Sequence, residues 1–187
     1  MIYLDDSLLI GKGSERACYI DPTCSSRCIK ISHSQSKDDQ NKNDFRYYHH
    51  LEKRGVPWEH IPRCFGWVQT NLGRGLTFKL LQNQQGHPLP SIANLLERGE
   101  TTLEDLTPSL YQLRDYLANN FIFASDLRDS NIACQQQENG SYHLYLMDGL
   151  GYRQFIKLAM HWRWLGLRKI HDQWDHFYNY RMRRWHK

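Results

Sequence analysis

A chain of 187 residues that is 40% hydrophobic and 24% charged can bury one good-sized core or two small lobes sharing a cleft, and is too apolar to be a disordered polymer. No stretch approaches 18 consecutive apolar residues, and the acidic start "MIYLDDSLLI" lacks the basic opening and apolar run of a secretion signal, so neither a membrane span nor an export leader is expected. The net charge of +4 is uneven: Tyr152 to Lys187 hold nine Lys/Arg and two Asp (+7), and the first 151 residues hold fifteen Lys/Arg and eighteen Asp/Glu (−3).

In chain order, residues 1–32 alternate apolar and polar around a glycine-containing turn and read as strands. Within them "RCIKIS" (27–32) puts Cys28, Lys30 and Ser32 on one face and Ile29 and Ile31 on the other. "SHSQSKDDQNKN" (32–43) is polar throughout and reads as a mobile loop. "DFRYYHHLEKRG" (44–55) places Phe45, Tyr48 and Leu51 at helical spacing and ends in a glycine stop. "FGWVQTNLGRGLTFKLL" (65–81) predicts a hairpin turning near Asn71–Gly75.

"QNQQGHPLP" (82–90), polar with one Gly and two Pro, is the best linker. Beyond it the character becomes helical: "SIANLLERG" (91–99), then "TPSLYQLRDYLANN" (107–120), with Thr107 as cap and Pro108 at the first helical position. "ASDLRDSN" (124–131), a strand "IACQQ", a turn at "ENGS" and a strand "YHLYLMDG" follow, and the remainder is mainly helical. There is no internal repeat. The expectation is an α+β chain in two lobes: a strand-rich 1–81, a hinge at 82–90 and a mainly helical 91–187. The five cysteines (Cys18, Cys24, Cys28, Cys64, Cys134) contain no CxxC and no zinc-ribbon spacing, and read as free thiols in a reducing cytoplasm.

Four pieces carry chemistry. "LIGKGSERACYI" (9–20) sets Gly11 and Gly13 as G-x-G between two strands, where bare backbone can approach phosphate; a plain turn would also use two glycines. Lys30, 17 residues past Gly13, can hold phosphate oxygens as a point charge, or be an ordinary strand lysine. In "ASDLRDSN", Asp126 can accept a proton from an attacked hydroxyl and Asn131 can give its amide oxygen to Mg²⁺. Arg128, between them, can offset charge on a moving phosphoryl group, although a capped polar loop has the same composition. "LYLMDGLG" (144–151) delivers Asp148 from an apolar strand into a Gly-flanked turn, as a metal ligand or a common Asp-Gly turn. Each piece is weak alone. In this order they form the part list of a protein-kinase-like enzyme.

Over roughly residues 2–170 the chain resembles the PhoP regulatory network protein YrbL family of small bacterial kinase-like proteins. "IGKGSERACY", "RCIKI", "FRYYHHL", "IPRCFGWVQTNLGRG", "DLRDSNI" and "MDGLG" carry the likeness. The resemblance implies a bilobal protein-kinase-like fold with ATP between the lobes and Mg²⁺ as cofactor. It implies Gly11 and Gly13 in the phosphate-covering loop, Lys30 as the phosphate-binding lysine, and Asp44 as its acidic partner. It implies Leu80, Leu81 and Gln82 at the adenine-contacting hinge, Asp126 as catalytic base, and Asn131 and Asp148 as metal ligands. The departures are specific. Arg16 stands where a third glycine is usual, the lysine's partner is Asp rather than Glu, and Ala124-Ser125 replaces the His-Arg before the catalytic Asp. Leu150 follows Asp148-Gly149, no Ala-Pro-Glu motif is present, and the 39 residues after Asp148 imply a truncated C-lobe.

The function expected from these residues is an ATP- and Mg²⁺-dependent kinase acting on a hydroxyl acceptor. The acceptor is a saccharide or, through the family's link to envelope-stress regulation, a lipopolysaccharide-related molecule, or else a protein hydroxyl. The alternative is a pseudokinase that binds nucleotide or a partner without transfer. The basic tail, with four of the six Trp, fits peripheral contact with an anionic membrane or glycan. It fits nucleic acid less well, since no nucleic-acid motif is visible. It equally fits a helix turning its aromatics inward and its arginines outward.

Overall fold

Strand "RCIKIS" is where the first half of the fold is organised. The computed structural model describes residues 1–33, 40–151 and 163–185, and among them the chain is α+β, with a mostly antiparallel sheet and four α-helices. It divides into two compact units, Met1–Trp58 with Pro62–Pro88, and Glu59–Ile61 with Leu89–Lys187.

In the first unit, β1 (Leu9–Lys12), β2 (Arg16–Ile20), β3 (Arg27–Ser32), β4 (Cys64–Thr70) and β5 (Gly73–Lys79) form one antiparallel sheet in the order β1-β2-β3-β5-β4. The period-2 reading of β3 holds, with both faces covered. Ile29 and Ile31 lie opposite Tyr19 and Ala17 and join them and Leu4 in a buried cluster. Cys28 and Lys30 face the other way, opposite Phe78 and Leu76 of β5, beside α1 (Gln40–Lys53). That helix starts four residues earlier than its apolar spacing predicts. The reason is Asn41, whose Nδ2 donates to the Lys30 carbonyl at 2.8 Å, pinning the first turn to β3. Residues 34–39 of the expected loop lie outside the described residues. At the far end Gly55, at φ +67°, stops the helix as expected.

The β4–β5 turn is tighter than expected, with Thr70 paired to Gly73 and only Asn71 and Leu72 between. Thr70 Oγ1 donates to the Gly73 carbonyl at 2.6 Å, and the Asn71 amide bridges both backbone groups of Leu4. Gly75 is therefore a strand residue, not a turn residue. A Cβ there would collide with Ile29 Cγ2 and come within 2.7 Å of Ile31 Cδ1. The 82–90 segment is more ordered than a linker. Gln82 bridges to Pro88, and Asn83 Oδ1 accepts from the backbone of Gln85 and His87.

The second unit contains α2 (Ile92–Arg98), α3 (Leu103–Asn119), the hairpin β6 (Ile132–Gln136) and β7 (Tyr142–Leu146), and α4 (Arg163–Phe177). Helix α2 sits where predicted, between a Ser91–Asn94 capping box and Gly99 at φ +67°. Helix α3 begins four residues before the expected Thr107 cap. Thr102 and Asp105 form a reciprocal capping box that satisfies two orphan amides, so Pro108 lies inside the helix at the loss of one hydrogen bond. The hairpin edges are covered on both sides. His60 and Glu59 bond to β7 through Leu146 N, the Leu144 carbonyl and His143, while Pro90 and Ser91 meet β6. These bonds are why Glu59–Ile61, in the strand-rich half by sequence, belongs with the second unit. Burial holds the His60 imidazole below its usual pKa, so the ring is neutral at pH 7 and donates Nδ1–H to the Leu144 carbonyl at 2.7 Å.

No helix among the described residues is long and apolar enough to cross a membrane. None of the five cysteines is in a disulfide. Burial pushes the Cys64 thiol up to about 11 and that of Cys134 up to about 12. The partly exposed Cys24 is lowered by its hydrogen bond to Ser26.

Two outcomes follow from this packing. Iodoacetamide labelling at pH 7–8, read by peptide mass spectrometry, should modify Cys24 ahead of Cys64 and Cys134. A lowered pKa raises the thiolate fraction at a given pH, and the two raised thiols stay protonated throughout this range. Gly75→Ala should lower unfolding free energy by about 1–3 kcal/mol in urea titrations, because the added methyl overpacks the Ile29–Ile31 face; an unchanged midpoint would show that those isoleucines yield freely.

Candidate functional site

Of the residues singled out in the sequence, Asp126, Arg128, Asn131 and Asp148 fall in the second unit. The other seven, Gly11, Gly13, Lys30, Asp44, Leu80, Leu81 and Gln82, fall in the first.

In the second unit the chain brings Asp126, Asn131 and Asp148 together through backbone. The segment before Asp126 and the turn after β7 pair as a short antiparallel bridge. Ala124 lies opposite Leu150, Asp126 N donates to the Gly149 carbonyl at 3.1 Å, and Gly151 N donates to the Phe123 carbonyl. Met147 N donates to the Asn131 carbonyl at 2.9 Å, so the residue before Asp148 is fastened to Asn131. Gly149 makes the bridge possible. Its φ is +78°, and any Cβ would run into the Asp126 carbonyl. In the Asp-Gly dipeptide, which would also suit an ordinary strand-end turn, the glycine is required on both counts.

The side chains extend this order. Arg128 Nε is paired with Asp126 Oδ1 at 2.5 Å. Asn131 Nδ2 donates to the Asp126 carbonyl at 3.0 Å and lies 3.5 Å from Asp126 Oδ2. That fixes the amide orientation: its Oδ1 accepts no hydrogen bond among the described residues. Asp148 Oδ1 accepts from Gly149 N at 2.8 Å. A carboxylate and an amide oxygen, both hard donors, suit Mg²⁺, which needs few protein ligands and completes its shell with water and phosphate oxygens. No cluster of three His, Cys, Asp or Glu that could hold a metal occurs among the described residues.

In the first unit, Lys30 is 9% exposed, with Nζ 4.8 Å from the Phe78 ring centre. Asp44 is buried, in the second turn of α1 rather than at its start. The sequence did not reveal that Arg16, the residue in the third-glycine position, is itself buried and bonds Asp44 Oδ2 at 2.6 Å and Asn41 Oδ1 at 3.1 Å. Around the glycine loop, Gly13 N donates to the Arg16 carbonyl, and a Cβ at Gly11 would meet nothing within 4 Å. Packing therefore does not demand glycine at 11. Leu80 is buried and its N–H is taken by the Ser26 carbonyl, while Leu81 and Gln82 are half-buried.

Two further groups escaped the sequence reading. Asp129, only 3% exposed, accepts from Arg184 at 2.5 Å and from Trp185 Nε1 at 3.0 Å, both through Oδ2. The basic C-terminal segment is thus bonded to the loop that carries Asp126 and Asn131; nothing local in the sequence signals a contact across 55 residues. The other group is the polar stripe Lys169, Asp172, Gln173 and His176 on α4. With Ala124–Arg128 and Arg181 it lines a cavity of about 440 Å³. Its i, i+3, i+4, i+7 spacing was readable. Leu158, Trp162 and Leu165 also recur at helical spacing in the sequence; the first two lie outside the described residues. Among the described residues α4 turns Ile170, Trp174 and Phe177 inward, as the packed-helix reading of the tail expects.

The clasp on Asp129 has a measurable strength. Arg184→Ala should cost about 1–2 kcal/mol, the lower part of the range for charged hydrogen bonds because Arg184 is half exposed. Adding Trp185→Phe should cost more than the sum of the single changes, since Asp129 then has neither side-chain donor. Urea unfolding of the two single variants and the double variant tests this, and simple additivity would count against a shared clasp.

Similarity to known proteins agrees with the local motifs. The model of the family described as "PhoP regulatory network protein YrbL" matches residues 2–181. The chain is 32% identical over 181 residues to "Uncharacterized protein YrbL" of Escherichia coli (strain K12), covering 95% of this chain and 86% of that protein. It shows the same identity and coverage with the Shigella flexneri protein of that name. With nearly its whole length matched, this chain belongs to the PhoP regulatory network protein YrbL family.

Proposed function

We propose that the protein is a phosphotransferase of protein-kinase-like architecture that uses ATP and Mg²⁺ to phosphorylate a hydroxyl acceptor. The observation that carries this reading is the backbone bridge that holds Asp126, Asn131 and Asp148 in one place, with Gly149 mandatory at its centre. A capped surface loop and a strand-end turn have no reason to interlock in this way. Three polar side chains held on rigid backbone are what in-line transfer requires.

In this reading the acceptor hydroxyl forms a new O–P bond to the γ-phosphorus as the bond from that phosphorus to the β–γ bridging oxygen breaks. ADP departs, and the hydroxyl proton passes to the Asp126 carboxylate. Arg128, held on the other oxygen of Asp126, keeps that carboxylate aimed and sets a positive charge beside the transferred group. Asn131 Oδ1 and Asp148 would hold Mg²⁺, whose contribution when bound is to neutralise charge developing on the phosphates. Lys30 would hold phosphate oxygens, and Gly11 and Gly13 would leave the backbone bare for phosphate approach. Leu80, Leu81 and Gln82 would receive the adenine.

One observation favours a second reading, a nucleotide-binding regulatory module without transfer. Arg16 bonds the Asp44 carboxylate that the kinase pattern reserves for Lys30. An arginine sharing that carboxylate would weaken its hold on Lys30, so that nucleotide binds but is not turned over.

The readings separate on purified protein with Mg-ATP. Transfer predicts ATP consumption or autophosphorylation that Asp126→Asn lowers by about 10²–10⁴-fold while nucleotide still binds. Asp148→Asn should abolish the Mg²⁺ dependence of nucleotide binding. Binding without turnover in the wild type would select the regulatory module, and no effect of either substitution would remove the site altogether.

A further inference from the structure

We propose that the cavity between the Asp126 loop and α4 is the acceptor site, and that it takes a small anionic polyol, a sugar carrying a phosphate or a carboxylate. The role of Asp126 toward such a molecule rests on the phosphotransfer reading; the binding itself does not.

Both walls belong to the second unit. One is the loop Ala124–Arg128, which carries the carboxylate that would receive the hydroxyl proton. The other is the polar stripe of α4 with Arg181 beyond it. At about 440 Å³ the cavity is in the range of small-molecule sites. Its lining selects among small molecules. Among the described residues that line it, Ala124 and Leu127 are the only apolar ones, so an acyl chain or an aromatic ring would strand polar groups. A polyol can bond to them, with Asp172 as acceptor for hydroxyls and the Gln173 amide and His176 beside it.

Charge then specifies the anion. Arg128 is already committed to Asp126. Lys169 and Arg181 line the same cavity, are exposed, and have no ion-pair or hydrogen-bond partner among the described residues. Two uncommitted cations against the single carboxylate of Asp172 leave the far wall net positive, opposite the catalytic carboxylate. That polarity would orient a sugar with its charged group toward α4 and a hydroxyl toward Asp126. The stripe is also rigidly presented. Ile170, Trp174 and Phe177, on the neighbouring face of the same helix turns, are 4%, 3% and 1% exposed.

The test is calorimetric titration of the full chain, without ATP, against hexose phosphates, pentose phosphates and hexuronic acids, each paired with its neutral parent sugar. At least one anionic member should bind about tenfold or more tightly than its parent. Lys169→Ala and Arg181→Ala should each weaken that binding by about tenfold, and Lys169→Arg should largely keep it. The changed side chains are exposed, and thermal melts confirm that the variants are folded. No preference for any anionic member, or equal binding by the alanine variants, overturns the proposal. So does binding to phosphatidylglycerol vesicles, but not to phosphatidylcholine vesicles, with no free sugar bound, since the anion is then a lipid headgroup. Because nucleotide is absent, loss of sugar binding with ATP turnover intact rejects the acceptor site alone. Sugar binding with no transfer to any acceptor supports this site and rejects the phosphotransfer reading.

Discussion

The close approach of Gly149 to the Asp126 backbone is the constraint on which the second unit's site depends. Two loops that follow a buried helix and a buried strand must pass within hydrogen-bond distance of each other. They can do so only because one position has no side chain and sits in the left-handed region, at φ +78°. That contact determines where Asp126, Asn131 and Asp148 stand. Carboxylates and amides on independent loops would sample many arrangements. Here Asp126 N, Met147 N and Gly151 N are all engaged across the bridge, so ordering the three side chains costs little beyond what folding already requires.

The surrounding structure reinforces this contact from two directions. Asp129, three residues from Asp126, is buried and held by Arg184 and Trp185, so the C-terminal segment acts as a strap on the loop. The strap runs on from α4, whose inward aromatics hold the helix and whose polar stripe forms the second wall of the cavity. A tail that suggests an electrostatic arm when read as charge and aromatic content thus takes part in building the site. In the first unit, Arg16, Asn41 and Asp44 play a comparable part, tying β2, the start of α1 and the backbone of β3 at Lys30 into one buried polar group. Such a group is costly to disturb, because removing any member leaves buried charge or a buried amide unpaired.

Legibility followed the range of the interaction. The β3 alternation, the helical stretch ending at Gly99, the extent of β6 and the Asp-Gly at the end of β7 were all readable, because each is set by neighbours within four residues. The helix starts were missed where a more distant or less obvious partner decided them. Asn41 is held by the backbone of β3, and Thr102 with Asp105 outweighs the Pro108 signal. Gly75 was assigned to a turn because glycine after Asn-Leu-Gly-Arg suggests one. Its actual role, leaving room for Ile29 and Ile31, is visible only when the adjacent strand is in place.

By itself the sequence determined the chemistry on offer: the residue types at positions 30, 126, 131 and 148, their order along the chain, and membership of a family whose motifs they share. These follow from local pattern, and local pattern is written in consecutive residues. Tertiary structure alone decided that Gly149 must be glycine because the Asp126 carbonyl occupies the space above it, that Arg16 claims Asp44, and that Asp129 is held from 55 residues away. Each of these is a contact between segments whose separation along the chain carries no trace of their proximity, so it exists only once burial of the apolar faces has brought those segments together.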